Sequence, residues 1–259
     1  MNNGDHVAKP GGKLRLFCIP HAGSGPSSFR DWRNIFNGAM EVVPVACPGR
    51  EGRFSEPLPT SVDELLQDLA AWLKPRLDTA YALLGHSMGA LVAFELARWF
   101  RREKLPAPKH IFVSGHRAPQ LPELKPLHKL PDALLRAELL RLQGTPSEVF
   151  QDSELLSIFL PVLRADLRLC ENYTYRPEEP LDCPITCMGG NADRRVSRVQ
   201  LVAWKRHTTG SFRVRLFPGG HFYLYNHPSL VAKAVMEELE ASSGHIAAGP
   251  PAGGVASAG

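Results

Sequence analysis

Six short apolar runs recur along the chain, at Leu14–Ile19, Glu41–Ala46, Tyr81–Leu84, His110–Val113, Pro184–Met188 and Phe212–Phe217. They are rich in Val, Ile, Leu and Phe, and each is bounded by Gly, Pro, Ser or His. Between most of them lie stretches with helical spacing, such as Leu65, Leu66, Leu69, Trp72 and Leu73, or Leu91, Phe94, Glu95, Ala97 and Arg98. Strand and helix alternating in this way predict an α/β domain, a mostly parallel sheet with helices on both faces. At 259 residues, a single domain over about 13–243 can bury a large core without disulfides or metals.

One connection departs from the alternation. Ser114 to Asp182 spans 69 residues before the next strand, where one helix and short loops would suffice. Within it Pro131–Gln143 reads as helix. Leu156, Phe159, Leu160, Leu163, Leu167 and Cys170 mark one face of an amphipathic helix, or of two joined at Pro161. An insertion at the carboxyl edge of a parallel sheet sits where ligands bind, so residues 116–181 are expected to form a helical lid. Extra packing with no gating role is the alternative.

Composition narrows the class. Apolar residues at 44% and charged residues at 22% exclude a wholly disordered or fibrous chain. Thirty basic against 26 acidic residues leave +4, too little to argue for a nucleic-acid partner. Cys18, Cys47, Cys170, Cys183 and Cys187 form no zinc-type cluster, and three lie in apolar runs as small core residues. No signal-peptide h-region or membrane-length apolar run is present, which predicts a cytoplasmic protein without a membrane partner. The polar segments 1–12 and 244–259 are expected to be disordered.

The chemistry centres on Gly85-His86-Ser87-Met88-Gly89, a G-x-S-x-G pattern. Chance alone would supply roughly 0.1 such matches in a chain with this glycine and serine content. Context strengthens it: Tyr81–Leu84 is a strand run immediately before, and Ala90–Leu96 a helix run immediately after, as a nucleophile elbow requires. A Gly-rich turn that binds a phosphate, or nothing, is the alternative. A serine hydroxyl needs an adjacent base and a third group to orient that base. Asp193 follows the strand run Pro184–Met188 and His221 follows Phe212–Phe217, so both fall in loops at the sheet edge that carries Ser87, in the order Ser, acid, His. Asp182 lies before its strand, at the wrong edge, and Asp166 lies in the insertion. The backbone N–H groups of Met88 and Ala22 are the candidate oxyanion donors, Ala22 belonging to the small-residue loop Pro20-His21-Ala22-Gly23-Ser24-Gly25.

These motifs resemble those of the type II thioesterases, free-standing α/β-hydrolases that accompany modular polyketide and nonribosomal peptide synthases. The resemblance runs from about Leu14 to Glu240. It rests on Pro20-His21-Ala22-Gly23, Pro48-Gly49-Arg50, Gly85–Gly89, Ser114-Gly115-His116-Arg117-Ala118-Pro119, Pro161–Asp166 with Tyr173 and Tyr175, Pro184-Ile185 and Gly219–Leu224. It implies hydrolysis of acyl thioesters held on the phosphopantetheine arm of a carrier protein, removing stalled or misprimed units. It implies catalysis by Ser87, His221 and Asp193 with no metal or bound cofactor, since the phosphopantetheine arrives on the partner. The N-terminus is short, so an edge strand common in related hydrolases is expected to be absent, and Ser24-Gly25 stands where the family more often has Gly-Ser.

From Arg194 to Met236 there are eight basic residues and no acid. A basic rim here, including Arg194, Arg195 and Arg198, would steer an acidic carrier domain to the active-site mouth; a solvated face without a partner is the alternative. The same triad would also serve a small-molecule esterase, lipase or acyltransferase, and a hydrolase fold can survive as a non-catalytic binding module. A monomer is the expected state.

Overall fold

The computed structural model describes residues 12–142, 144 and 147–247. Its elements run β1 (Arg15–Ile19), α1 (Trp32–Ile35), β2 (Glu41–Pro44), α2 (Val62–Leu73), β3 (Tyr81–His86), α3 (Met88–Arg102), β4 (Ile111–Ser114), α4 (Asp132–Leu142), α5 (Ser147–Gln151), α6 (Ser153–Glu171), β5 (Ile185–Gly190), α7 (Arg198–Val202), β6 (Phe212–Phe217), α8 (Tyr223–Asn226) and α9 (Pro228–Ala247). The strands form one parallel sheet in the order β2-β1-β3-β4-β5-β6.

The side-chain period of two along each strand sorts the core into two layers. Phe17, Ile19, Leu83, Ile111, Val113, Ile185 and Cys187 face α2, α3 and α6. Leu16, Cys18, Ala82, Leu84, Phe112 and Met188 face α1 and α9 on the other side. With both faces covered, these strands read as continuous apolar runs rather than as alternation, as buried parallel strands do. All five cysteines are buried and free; burial pushes the thiols of Cys47 and Cys183 up to about 12.

The strand runs fall within two residues of the observed elements. β3, β4 and β5 continue to His86, Ser114 and Gly190, past the first small residue, because pairing persists there: Gly85 sits opposite Val113, His86 opposite Ser114, and Gly190 opposite Phe217. A side chain on Gly190 would meet Gly220 O at 2.2 Å, so this strand end needs a residue without one. β2 stops at Pro44, although Val45 N–H still donates to Cys18 O at 2.8 Å.

The insertion holds α4, α5 and α6. Its amphipathic segment is one 19-residue helix that runs through Pro161, not two joined there. The Asp152 side chain caps it, accepting from the N–H groups of Glu154 and Leu155. The expected disordered termini lie mostly outside the described residues. Positions 244–247, counted with that tail, belong to α9 instead. No described helix is long and apolar enough to cross a membrane.

Candidate active site

Ser87 occupies the one-residue turn between β3 and α3, with φ 53° and ψ −116°. A non-glycine residue with positive φ is strained and persists only where the surroundings impose it. Here the surroundings are two glycines and a strand end. A Cβ on Gly85 would lie 1.9 Å from Gly89 O, and one on Gly89 would lie 2.1 Å from Ile19 O. Ser87 N–H donates to Ser114 O at 2.7 Å, which fastens the turn to β4. The elbow is thus built from backbone packed too closely for side chains.

Two loops converge on it. The loop after β5 carries Asp193 and the loop after β6 carries His221. They are stitched together by Ala192 N–H to Gly219 O (2.9 Å) and Gly219 N–H to Asn191 Oδ1 (3.1 Å). Asp193 Oδ1 accepts from the N–H groups of Arg195 (2.7 Å) and Val196 (3.2 Å), leaving Oδ2 for His221 Nδ1–H at 2.8 Å. His221 Nε2 then faces Ser87 Oγ at 3.1 Å. A carboxylate that only accepts fixes the proton on Nδ1, so Nε2 presents its lone pair to the serine. The Asp193 side chain is fully buried and that of His221 is 6% exposed, so water competes little with either bond. The three sequence candidates, separated by up to 134 positions, form one hydrogen-bonded relay.

Beneath the relay lies a second set of polar groups, which belong to the quoted motifs but were given no role on sequence. His86 Nδ1 shares a hydrogen bond with Ser114 Oγ (2.9 Å), which shares one with Tyr223 OH (2.5 Å). His86 Nε2 is the single buried side-chain polar atom without a partner among the described residues. Burial, then the neighbouring His221 and His21, holds His86 well below the usual imidazole range, so it stays neutral beside the relay.

The loop after β1 lies against the start of α3, since a Cβ on Gly89 would also meet Pro20 O at 2.7 Å. Met88 N–H belongs to the first turn of α3, where no intrahelical acceptor exists. Ala22 N–H makes no hydrogen bond to any described residue. The next amide differs: Gly23 N–H donates to Asp166 Oδ2 at 2.7 Å. Asp166, set aside on sequence as an acid of the insertion, therefore reaches the loop after β1 rather than His221. Its partner there is Arg50. The only sequence signal for this pair was that each residue ends one of the motifs carrying the resemblance.

The basic stretch needs correction. Arg194 and Arg198 are exposed, but Arg195 turns inward, donating to Lys125 O (3.2 Å) and lying 3.4 Å from Glu123 and 4.0 Å from Glu171. Arg213 and Arg215 pair with Glu238 of α9. The acids missing from residues 194–236 are supplied by other segments of the fold.

Residues 14–242 match the thioesterase domain family. The chain is 46% identical over 214 residues to the gramicidin S biosynthesis protein GrsT of Aneurinibacillus migulanus, covering 82% of this chain and 84% of that one. Among solved structures it is similar to the RedJ thioesterase from the prodiginine biosynthetic pathway of Streptomyces coelicolor. The TM-score is 0.81 at 40% identity, covering 90% of each chain. It is also similar to YbtT, a type II thioesterase from the yersiniabactin NRPS/PKS pathway, with a TM-score of 0.82 at 32% identity, covering 91% of this chain and 96% of that one.

Proposed function

The chain belongs to the thioesterase domain family, and from that premise we propose that it clears acyl groups from the phosphopantetheine arms of carrier proteins in a polyketide or nonribosomal peptide assembly line. The observation that carries this reading is the unbroken relay from Asp193 through His221 to an elbow serine.

Ser87 Oγ attacks the thioester carbonyl while His221 Nε2 takes its proton, and Asp193 stabilises the imidazolium that results. Negative charge gathers on the carbonyl oxygen, where the N–H groups of Ala22 and Met88 receive it; such a donor is worth roughly 3 kcal/mol of barrier. Collapse breaks the C–S bond and releases the phosphopantetheine thiolate, which is protonated from His221. Water then gives a proton to His221 and attacks the acyl-enzyme, and a second collapse frees the carboxylic acid and restores Ser87. The arm comes with the partner, so the enzyme needs no resident cofactor. The insertion α4–α6 serves as a lid, with Phe159 and Leu163 packed on Gly23 as apolar surface for the acyl chain.

The carrier docks on the outer face of α7 and the turn before it. Arg194 and Arg198 are exposed there, and Val199 is 79% exposed beside them. A basic rim around an exposed apolar side chain suits an acidic, amphipathic partner helix.

The experiment is to incubate the protein with carrier domains bearing different acyl groups and follow deacylation by intact mass, alongside the matching acyl-coenzyme A and oxygen esters. Carrier-bound thioesters should be hydrolysed fastest, and Ser87→Ala should abolish turnover. Preference for the oxygen esters would establish a small-molecule esterase instead. No turnover of any substrate, together with failure of a fluorophosphonate to label Ser87, would establish a binding module.

A further inference from the structure

We propose that Asp166 and Arg50 are positioning residues that hold the oxyanion loop in its catalytic shape, so that helix α6 and the oxyanion hole are set as one unit. The proposal rests on the serine-hydrolase reading above and adds two residues to it.

The geometry is a three-way clamp. Arg50, from the loop after β2, grips Asp166 of α6 in a bidentate pair, with Nη2 to Oδ1 at 2.9 Å and Nη1 to Oδ2. The same Oδ2 accepts the Gly23 N–H at 2.7 Å. Arg50 also donates to Pro48 O (3.1 Å) and Ser24 O (3.4 Å), so one guanidinium touches three separate segments. The two side chains are 6% and 2% exposed.

A buried ion pair of this kind is poor evidence for stability, because desolvating two charges offsets most of their attraction. It does specify geometry, since every member must stay in place for the others to remain satisfied. What it specifies here is the direction of one peptide group. The carboxylate occupies the Gly23 N–H, while the neighbouring Ala22 N–H makes no hydrogen bond to any described residue. Gly23 has φ +77°, and a Cβ there would lie 2.9 Å from the Phe159 ring and 3.1 Å from Leu163, so α6 also presses on the loop directly. On the far side, His21 Nδ1 shares a hydrogen bond with Tyr225 OH at 2.9 Å. If the clamp opened, the Gly23 amide would lose its acceptor, and the Ala22–Gly23 turn could rotate its donor away from Ser87.

Because the clamp acts on the charge that develops in the transition state, its loss should spare ground-state binding. With a small free thioester, Asp166→Asn should lower kcat about 10²-fold, the scale of one oxyanion donor, with KM within threefold of wild type. Rates are normalised to the folded fraction measured by thermal melting. Affinity for an alkyl boronic acid, whose tetrahedral anionic adduct on Ser87 uses the oxyanion hole, should fall by the same factor as kcat/KM. Substrate binding measured in the Ser87→Ala background should not change. Arg50→Lys, which keeps the charge and loses the fork, should fall between wild type and Asp166→Asn. A merely structural role would lower the melting temperature and leave kcat per folded molecule and boronate affinity unchanged; that result overturns the proposal, as does a KM effect without a kcat effect. Wild-type protein that neither turns over thioesters nor binds the boronate would instead mark failure of the hydrolase reading itself.

Discussion

At the scale of single residues, the site divides tasks by which lone pair faces which donor. Asp193 accepts two backbone amides on one oxygen and the His221 ring on the other, so it orients the imidazole while being held itself. Asparagine in its place would keep the size, but its amide NH₂ could turn toward Nδ1 and favour the wrong tautomer. Asp193→Asn should therefore lower kcat by roughly 10³–10⁴ with KM nearly unchanged, measured by steady-state kinetics on acyl-coenzyme A. A loss under tenfold would mean that another group orients His221. The identity of these three residues was legible in the sequence, because an elbow serine, an acid after a later strand and a histidine after the last follow one chain order. Asp166 was not, since an acid within a helix carries no local sign that its partners lie 116 and 143 positions away.

At the scale of elements, parallel strands deliver their carboxyl ends to one edge, and the loops found there carry the Asp193–His221–Ser87 relay. Periodicity located each strand within two residues; its misses were strand ends where pairing continues through glycine or serine, and the last two residues of the β2 run. It could not decide whether Pro161 divides a helix, because the hydrogen bond lost at one proline is small beside the apolar face that α6 buries on α3. The short helix α7 is the exposed element nearest the acid loop, capped by Ser197 in a capping box with Gln200. Reversing its charge with Arg194→Glu and Arg198→Glu should raise KM for a carrier-bound thioester about tenfold and remove most of its salt dependence, leaving a small free thioester unaffected. Unchanged salt dependence would place carrier docking elsewhere. Arg195 is left out of that test, because its contacts to Glu123 and Lys125 make it a support of the acid loop.

At the scale of the whole molecule, five histidines, four buried and His21 half-buried, couple folding to pH. Burial, followed by the charges of His221 and Arg50, pushes His21 down to about 3. Burial likewise takes His116 to about 3 and His110 and His207 to about 4, and holds His86 well below its usual range. The unfolded chain protonates near 6.5, so between that value and about 4 it binds protons that the folded state refuses. Stability must then fall as pH falls, by up to about 1.4 kcal/mol at pH 5.5 for a histidine that stays neutral in the fold. The urea midpoint should drop sharply between pH 7.5 and 5.5; a flat profile would show that these rings accept protons in place.

By itself the sequence determined the parallel α/β sheet, the elbow and the order of the relay, because these follow from hydrophobic period and from the common edge to which parallel strands run. Only the tertiary structure decided which charges remain free. Residues 194–236 look uniformly basic along the chain, yet Glu123, Glu171 and Glu238 come to them from other elements. Arg50, Asp166 and the Gly23 amide come together for the same reason. Periodicity is a local property of the chain, whereas the partner of a charge depends on where distant helices pack.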